Sequence, residues 1–135
     1  MARQAVWAAK VARKNGDRAS AMDFLQTARK FAHKYAVCKP RRIIPFLVGR
    51  AMWSIVVEQE VEILRETGDA ERLQAIERER TDWIAAIEEL RTLVDETSVT
   101  VESVKAAPGA DLVYTDYAAE EAGVEKVLAE VGLLQ

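Results

Sequence analysis

The 135-residue sequence predicts an all-α protein: a helical bundle of two antiparallel helical hairpins, which supply four main helices, then an extended arm and a C-terminal helix. Apolar residues recur at three- and four-residue spacing, as on the buried face of a helix. Two corners, Gly16-Asp17 and Gly68-Asp69, each pair a residue that ends helices with one that begins them. Half of the residues are apolar and 30% are charged, as in soluble globular domains.

The first predicted hairpin joins a helix over residues 2–14 to a helix over about 18–36. Strong helix formers fill the first segment, and the Gly16-Asp17 corner follows it. The second segment carries its apolar residues at helical spacing, namely Ala21, Phe24, Leu25, Ala28, Phe31, Ala32 and Tyr35. We therefore expect both segments to be helical and to pack against each other.

The second predicted hairpin joins helices over about 46–66 and 70–96. Pro40 and Pro45 separate it from the first hairpin, because proline disfavours helix in the residue before it and fits a first helical turn. The apolar run over 43–57 is shorter than the roughly 20 residues that span a bilayer, so it predicts a buried helix with no membrane partner. In the fourth helix only Arg80 interrupts the apolar series, and we expect it to pair with a glutamate of the third helix.

The character of the sequence changes after residue 96. Residues 98–104 alternate β-branched and polar side chains, and Ala107-Pro108-Gly109-Ala110 is typical of a turn. This pattern predicts an extended arm with one short strand. The predicted organisation is thus a bundle domain over 1–96, an arm or linker over 97–115 and a C-terminal helix over 116–135.

No catalytic, cofactor-binding or metal signature emerges from the residue types. His33 and Cys38 are the only histidine and the only cysteine, and no anchoring motif surrounds them. A catalytic Cys-His pair is one interpretation, and a surface histidine with a buried thiol is the other. A lone cysteine also favours a reducing cytoplasm, or a particle assembled there. We predict a non-enzymatic protein without a cofactor.

The remaining candidate features also have structural explanations. Glu58, Glu62 and Glu66 share one helix face without any histidine, which favours a solvated acidic face over a metal site. Gly49 lies inside a helical pattern, where glycine indicates close packing, and we expect Trp53 or Trp7 as its neighbour.

The uneven distribution of charge along the chain is the one feature that is unusual for a soluble globular domain. Residues 1–53 contain 12 Lys and Arg against 2 Asp, a net charge of +10, and residues 54–135 contain 7 against 20 Asp and Glu, a net charge of −13. Such asymmetry indicates a charged partner, or pairing between the two halves of one chain. Arg41 and Arg42 have no carboxylate nearby in sequence, so their partner lies far along the chain or on another molecule.

Three functions follow from these patterns. The first is a helical interaction or assembly protein that meets its own copy or a protein partner, such as a component of a virion or another large assembly. The second is a nucleic-acid-binding protein that contacts phosphates through residues 29–42, and the third is an enzyme with an unrecognised site. The candidate interaction residues are Arg29, Lys30, Lys34, Lys39, Arg41, Arg42, Trp53 and Trp83.

Overall fold

A computed structural model describes the backbone of residues 2–105 and 111–134, and the side chains of residues 2–93 and 118–134. Within this part of the chain there are five helices and no strand, which confirms the all-α prediction. The helices are α1 (Ala2–Lys14), α2 (Arg18–Val37), α3 (Ile43–Thr67), α4 (Ala70–Lys105) and α5 (Asp111–Glu130).

Both Gly-Asp corners form as the sequence predicts. Gly16 and Gly68 have φ angles of 79° and 71°, in the left-handed region that glycine enters at little cost. The carboxylates of the next residues cap the following helices: Asp17 accepts the amide of Ser20 at 3.0 Å, and Asp69 accepts that of Arg72 at 3.2 Å. Each corner therefore ends one helix and begins the next.

Helices α2 and α3 run antiparallel and make the most extensive helix contact in the described structure. Arg18 lies near Glu66 at one end of the pair, and Ala36 lies against Gly49 at the other. Helix α1 packs on both α2 and α3, whereas α4 packs on α3 and α5. Because α2 and α3 belong to different predicted hairpins, the arrangement as two hairpins stays a prediction.

The buried side chains of the described residues form two adjoining clusters. The larger one draws buried side chains from α2, α3, α4, α5 and the turn after α5, with Trp83, Phe46 and Trp53 as its largest members. The smaller one lies among α1, α2 and α3 and is rich in alanine. Small side chains let helix backbones approach closely, so the alanines explain the tight packing of the first three helices.

The extended arm is the part of the fold prediction that the structure corrects. Helix α4 continues through residues 97–105, and α5 begins at Asp111 instead of residue 116; the predicted Ala107–Ala110 turn lies outside the described residues. A strand needs a partner to pair its backbone N–H and C=O groups, and no second strand occurs in the described chain. A helix satisfies these groups within itself, which outweighs the modest preference of valine and threonine for strands.

Arg80 also differs from its prediction. Its guanidinium pairs with Glu77, one turn earlier on α4, at 2.7 Å, and not with a glutamate of α3. The third helix itself begins at Ile43, so Pro45 lies inside its first turn, where proline removes no helical hydrogen bond.

Candidate functional site

The predicted basic site over residues 29–42 is divided between the interior and the surface. Arg29 and Arg41 are about three-quarters buried and pair with glutamates of other helices. Arg42 is half-buried, whereas Lys30, Lys34 and Lys39 are exposed and form no ion pair with any described residue. The six cations therefore do not form one surface, and only the three lysines point freely to solvent.

Arg29 holds two glutamates together where α2, α3 and α4 meet. Its Nε donates to Glu60 of α3 at 3.0 Å, and its Nη1 donates to Glu79 of α4 at 2.9 Å. Glu60 is the one charged residue among the buried side chains described, with 1% of its surface exposed. A buried carboxylate needs a close cationic partner, so this cluster requires Arg29.

His33 extends the cluster to the C-terminal end of the chain. Its Nε2 lies 2.9 Å from the carbonyl oxygen of Leu133, which permits an N–H donor there, and its Nδ1 lies 3.9 Å from Glu79. The indole N–H of Trp53 donates to the same glutamate at 2.8 Å. His33 is thus part of a polar link between α2, α4 and the turn after α5, and is not the surface residue of the sequence interpretation.

The two glutamates of the cluster have pKa values shifted in opposite directions. Burial raises the pKa of Glu60 above its usual value, and Arg29 offsets this only in part. Burial also raises the pKa of Glu79, but His33, Arg29 and Trp53 together outweigh it and hold that pKa below its usual value. The Glu79 carboxylate in turn raises the pKa of His33 against the effect of burial.

Two acidic groups with separated pKa values are typical of active sites. Here, however, Glu60 and Glu79 both form hydrogen bonds with other side chains of the cluster.

A shallow cavity of about 630 Å³ lies beside the cluster and is lined in part by Lys30, Phe31 and Lys34. Cys38, the other half of the predicted catalytic pair, is exposed and its thiol donates to the Tyr35 carbonyl at 3.0 Å. The prediction that the Cys38 thiol is buried is therefore wrong.

Hydrogen bonds connect the corner between α2 and α3 to α5. Arg41 donates to the Val37 carbonyl and to Glu125, both at 3.0 Å. Glu120 accepts the backbone N–H of Ile43 at 3.0 Å, which satisfies a free amide at the start of α3. The distant carboxylate that the sequence required for Arg41 is thus supplied by this chain's own last helix.

Trp53 and Trp83 are core residues of this chain. The ring centroids of Trp83 and Trp53 lie 5.7 Å apart, and the ring of Phe46 lies 5.2 Å from that of Trp83. Only 1% of the Trp83 surface is exposed. Both indoles are buried against other side chains of this chain, so they stabilise the bundle and do not present a surface to a partner.

Part of the charge asymmetry is neutralised by ion pairs within the molecule. Arginines of the basic half pair with glutamates of the acidic half: Arg13 with Glu62 and Glu66, Arg18 with Glu66, Arg29 with Glu60 and Glu79, and Arg41 with Glu125. Glu62 and Glu66, which share one helix face with Glu58, are two of these paired glutamates. Among the described side chains, no group of three or more His, Cys, Asp or Glu is placed to hold a metal ion.

The outward face of α3 is apolar over its first three turns and lies in solvent. We call this face the outer row; it consists of Ile44, Leu47, Val48, Ala51 and Ile55, all exposed, with Ile44 exposed by 73%. The prediction of a fully buried helix over 43–57 is therefore wrong for this half of its circumference. Further exposed apolar residues are Trp7 and Val11 on α1, Phe24, Phe31 and Tyr35 on α2, and Ile84 on α4.

Sequence reasoning missed the outer row although its signal is visible. The residues that face inward, such as Phe46, Trp53 and Val57, already form one apolar face of the helix. A helix that is apolar on all sides is either buried throughout or presents a second face to a partner. The described neighbours of α3 cover one side of it and leave the outer row exposed.

Comparison of the chain with protein-family models, with curated proteins and with solved structures finds no match. A search of the described helices for a segment with the length and hydropathy of a membrane span also finds none.

Proposed function

We propose that this chain is a non-enzymatic helical assembly protein, which associates with its own copies or with a second protein. The observation that carries the proposal is the outer row of α3, an exposed apolar face that runs along three turns of one helix. Contiguous apolar surface of this kind marks interaction sites in soluble proteins. A structural component of a virion or another large assembly, built in a reducing cytoplasm, is one form of this function.

The charged residues support the same function in a secondary role. Because Arg29 and Arg41 pair internally, the basic half has fewer free cations than its sequence suggests. Exposed lysines and glutamates remain to orient an encounter, since rim charges affect specificity and association rate more than affinity.

Nucleic-acid binding through Lys30, Lys34 and Lys39 is the alternative. These three lysines are exposed, and the exposed Phe31 and Tyr35 follow Lys30 and Lys34 directly in sequence, but the chain is acidic overall with a net charge of −3. Light scattering over a range of concentrations, with and without added DNA or RNA, separates the two functions. We expect a mass above the 15.1 kDa of one chain without nucleic acid. A mass that rises only when nucleic acid is added, and falls again with salt, would favour the alternative.

A further inference from the structure

The cavity beside the polar cluster has the size and the composition of a small-molecule site. Its described lining comes from α2 and from Glu79 of α4, and we call it the α2–α4 cavity. Its volume of about 630 Å³ lies within the range of roughly 300–1,000 Å³ that is usual for ligand pockets. Its wall is mainly apolar, with a few polar groups that converge on it, as is also usual for such pockets.

Cations outnumber anions in the described lining of the α2–α4 cavity. Arg29, Lys30 and Lys34 carry three positive charges, and His33 adds a fourth when it is protonated. Glu79 is the single carboxylate among the lining residues described, and it already accepts a hydrogen bond from Arg29. The charges that no described carboxylate balances are therefore those of the two lysines.

Lys30 and Lys34 stand one turn apart on α2, where like charges repel each other. An anionic group bound between them would remove this repulsion and accept a charge-assisted hydrogen bond from each ammonium group. Glu79 does not serve this purpose, because its two oxygens accept hydrogen bonds from Trp53 and Arg29. The cavity therefore favours an anion that comes from outside the chain.

Phe31 supplies an apolar surface in the same cavity. Its side chain is 42% exposed, and it lies between the two lysines in sequence. An inorganic anion would leave this ring in water, whereas an aromatic body would cover it and remove apolar surface from solvent. The lining thus matches a ligand with an acidic group at one end and an aromatic body at the other.

We propose that the α2–α4 cavity binds a small organic anion of this kind, such as an aromatic carboxylate. Its acidic group lies between Lys30 and Lys34, and its aromatic body packs against Phe31. This site goes beyond the proposed assembly function and does not depend on it, because no residue of the outer row is among those described in the lining.

The first test compares three probes on the full chain. 1-Naphthoate has an acidic group and an aromatic body, 1-naphthylmethylamine has the same body with a positive charge, and acetate has the negative charge alone. His33 is the only histidine, so its ring protons give unique NMR signals from the wall of the cavity. We expect 1-naphthoate to shift these signals saturably at constant pH, and to bind at least about tenfold more tightly than the other two probes. Equal binding of the amine, or no saturable shift, would overturn the proposal.

The second test uses a matched pair of aromatic variants. Phe31 and Phe24 are exposed to similar extents on α2, by 42% and 45%, but only Phe31 is among the lining residues. We expect Phe31→Ala to raise the dissociation constant of 1-naphthoate about tenfold, and Phe24→Ala to leave it unchanged. Circular dichroism checks that both variants remain helical, and the comparison of probes on the wild type needs no variant.

The third test removes one positive charge from the cavity. Lys34→Gln is expected to raise the same dissociation constant about fivefold at low salt. Lys14→Gln is the control, because Lys14 is an exposed lysine at the end of α1 and is not among the lining residues. Equal effects within the aromatic pair or within the lysine pair would overturn the cavity as the site. Tighter binding of a single-stranded oligonucleotide than of 1-naphthoate, read from the same His33 signals, would also overturn it and favour the nucleic-acid alternative.

Discussion

Gly49 of α3 lies directly against Ala36 of α2: a Cβ atom placed on Gly49 would be 2.5 Å from the Ala36 Cβ and 2.8 Å from the Ala32 carbonyl oxygen. The close neighbour that the sequence predicted for Gly49 therefore exists, but it is the backbone of α2 and not Trp53 or Trp7. Because a backbone cannot move aside as a flexible side chain can, this contact sets how closely α2 and α3 approach.

Gly49→Ala is expected to destabilise the protein by about 1–3 kcal/mol, although alanine favours helix by about 1 kcal/mol over glycine. Gly123→Ala is the control, because the atoms nearest to its Cβ would be those of the Leu93 side chain, which can change rotamer. We expect the control to be neutral or mildly stabilising in urea unfolding. Equal losses for both variants would contradict the backbone contact as the cause.

Trp83→Ala is expected to cost about 3–5 kcal/mol of unfolding free energy, since the indole fills the centre of the core beside Phe46 and Trp53. Trp83→Phe should cost clearly less, because it keeps an aromatic ring there. It also removes an indole N–H that is buried and has no hydrogen-bond partner in the described part of the chain. Denaturant titration of both variants measures the difference, and similar losses would argue against the ring contacts.

Arg29 and Glu60 should respond differently to neutral replacements. Arg29→Met leaves the buried Glu60 carboxylate without its cation, and breaking a buried pair in this way costs about 3–5 kcal/mol. Glu60→Gln keeps an acceptor oxygen for Arg29, which retains Glu79 as its counter-charge. At neutral pH we therefore expect Glu60→Gln to be close to wild type in thermal unfolding. A loss as large as that of Arg29→Met would show that the Glu60 charge itself is required.

His33 should make stability depend on pH near neutrality. Its folded pKa is raised above the ordinary value of 6.5, so the folded state binds the proton more tightly than the unfolded chain does. The stabilisation is fully present below pH 6.5 and is lost as the pH rises through the raised folded pKa. The charged groups around the ring are Glu79 of α4, Arg29, Lys30 and Lys34 of α2, and the cluster's Glu60 of α3.

His33→Gln removes this titration while keeping a side-chain N–H. We expect the difference in unfolding free energy between wild type and variant to be largest at about pH 6 and to shrink as the pH approaches 9. Chemical denaturation at several pH values measures it. A difference that grows with pH would contradict the raised pKa of His33.

Arg41→Glu tests the attachment of the corner to α5. The change breaks the bonds to Glu125 and the Val37 carbonyl and places two anions together, so α5 should detach more readily. Hydrogen exchange should increase in residues 118–134, while α1 and the first half of α2 keep their protection. Lys39→Glu, two residues away but exposed, should leave this exchange unchanged. If residues 118–134 exchanged at the same rate in Arg41→Glu and Lys39→Glu, Arg41 would not be what attaches α5 to the corner.

Local patterns predicted the helices well where the cause of each boundary is local. The Gly16 and Gly68 corners depend on a left-handed glycine and a capping aspartate, both of which act within a few residues. The alternation of β-branched and polar residues over 98–104 led to the wrong prediction of a strand, because strand formation depends on a partner strand elsewhere in the chain. The interaction residues were predicted as one group, but their side chains face different neighbours.

The sequence by itself determined the all-α class, the two glycine corners and the separation of charge between the halves, because propensity, capping and composition are properties of short segments. Only the tertiary structure decided which charges form ion pairs within the chain, that Gly49 meets Ala36, and that the described residues leave one side of α3 exposed. These depend on which helices meet, at what distance and in which rotation. Residues as far apart as Arg41 and Glu125 become neighbours only when the whole chain packs.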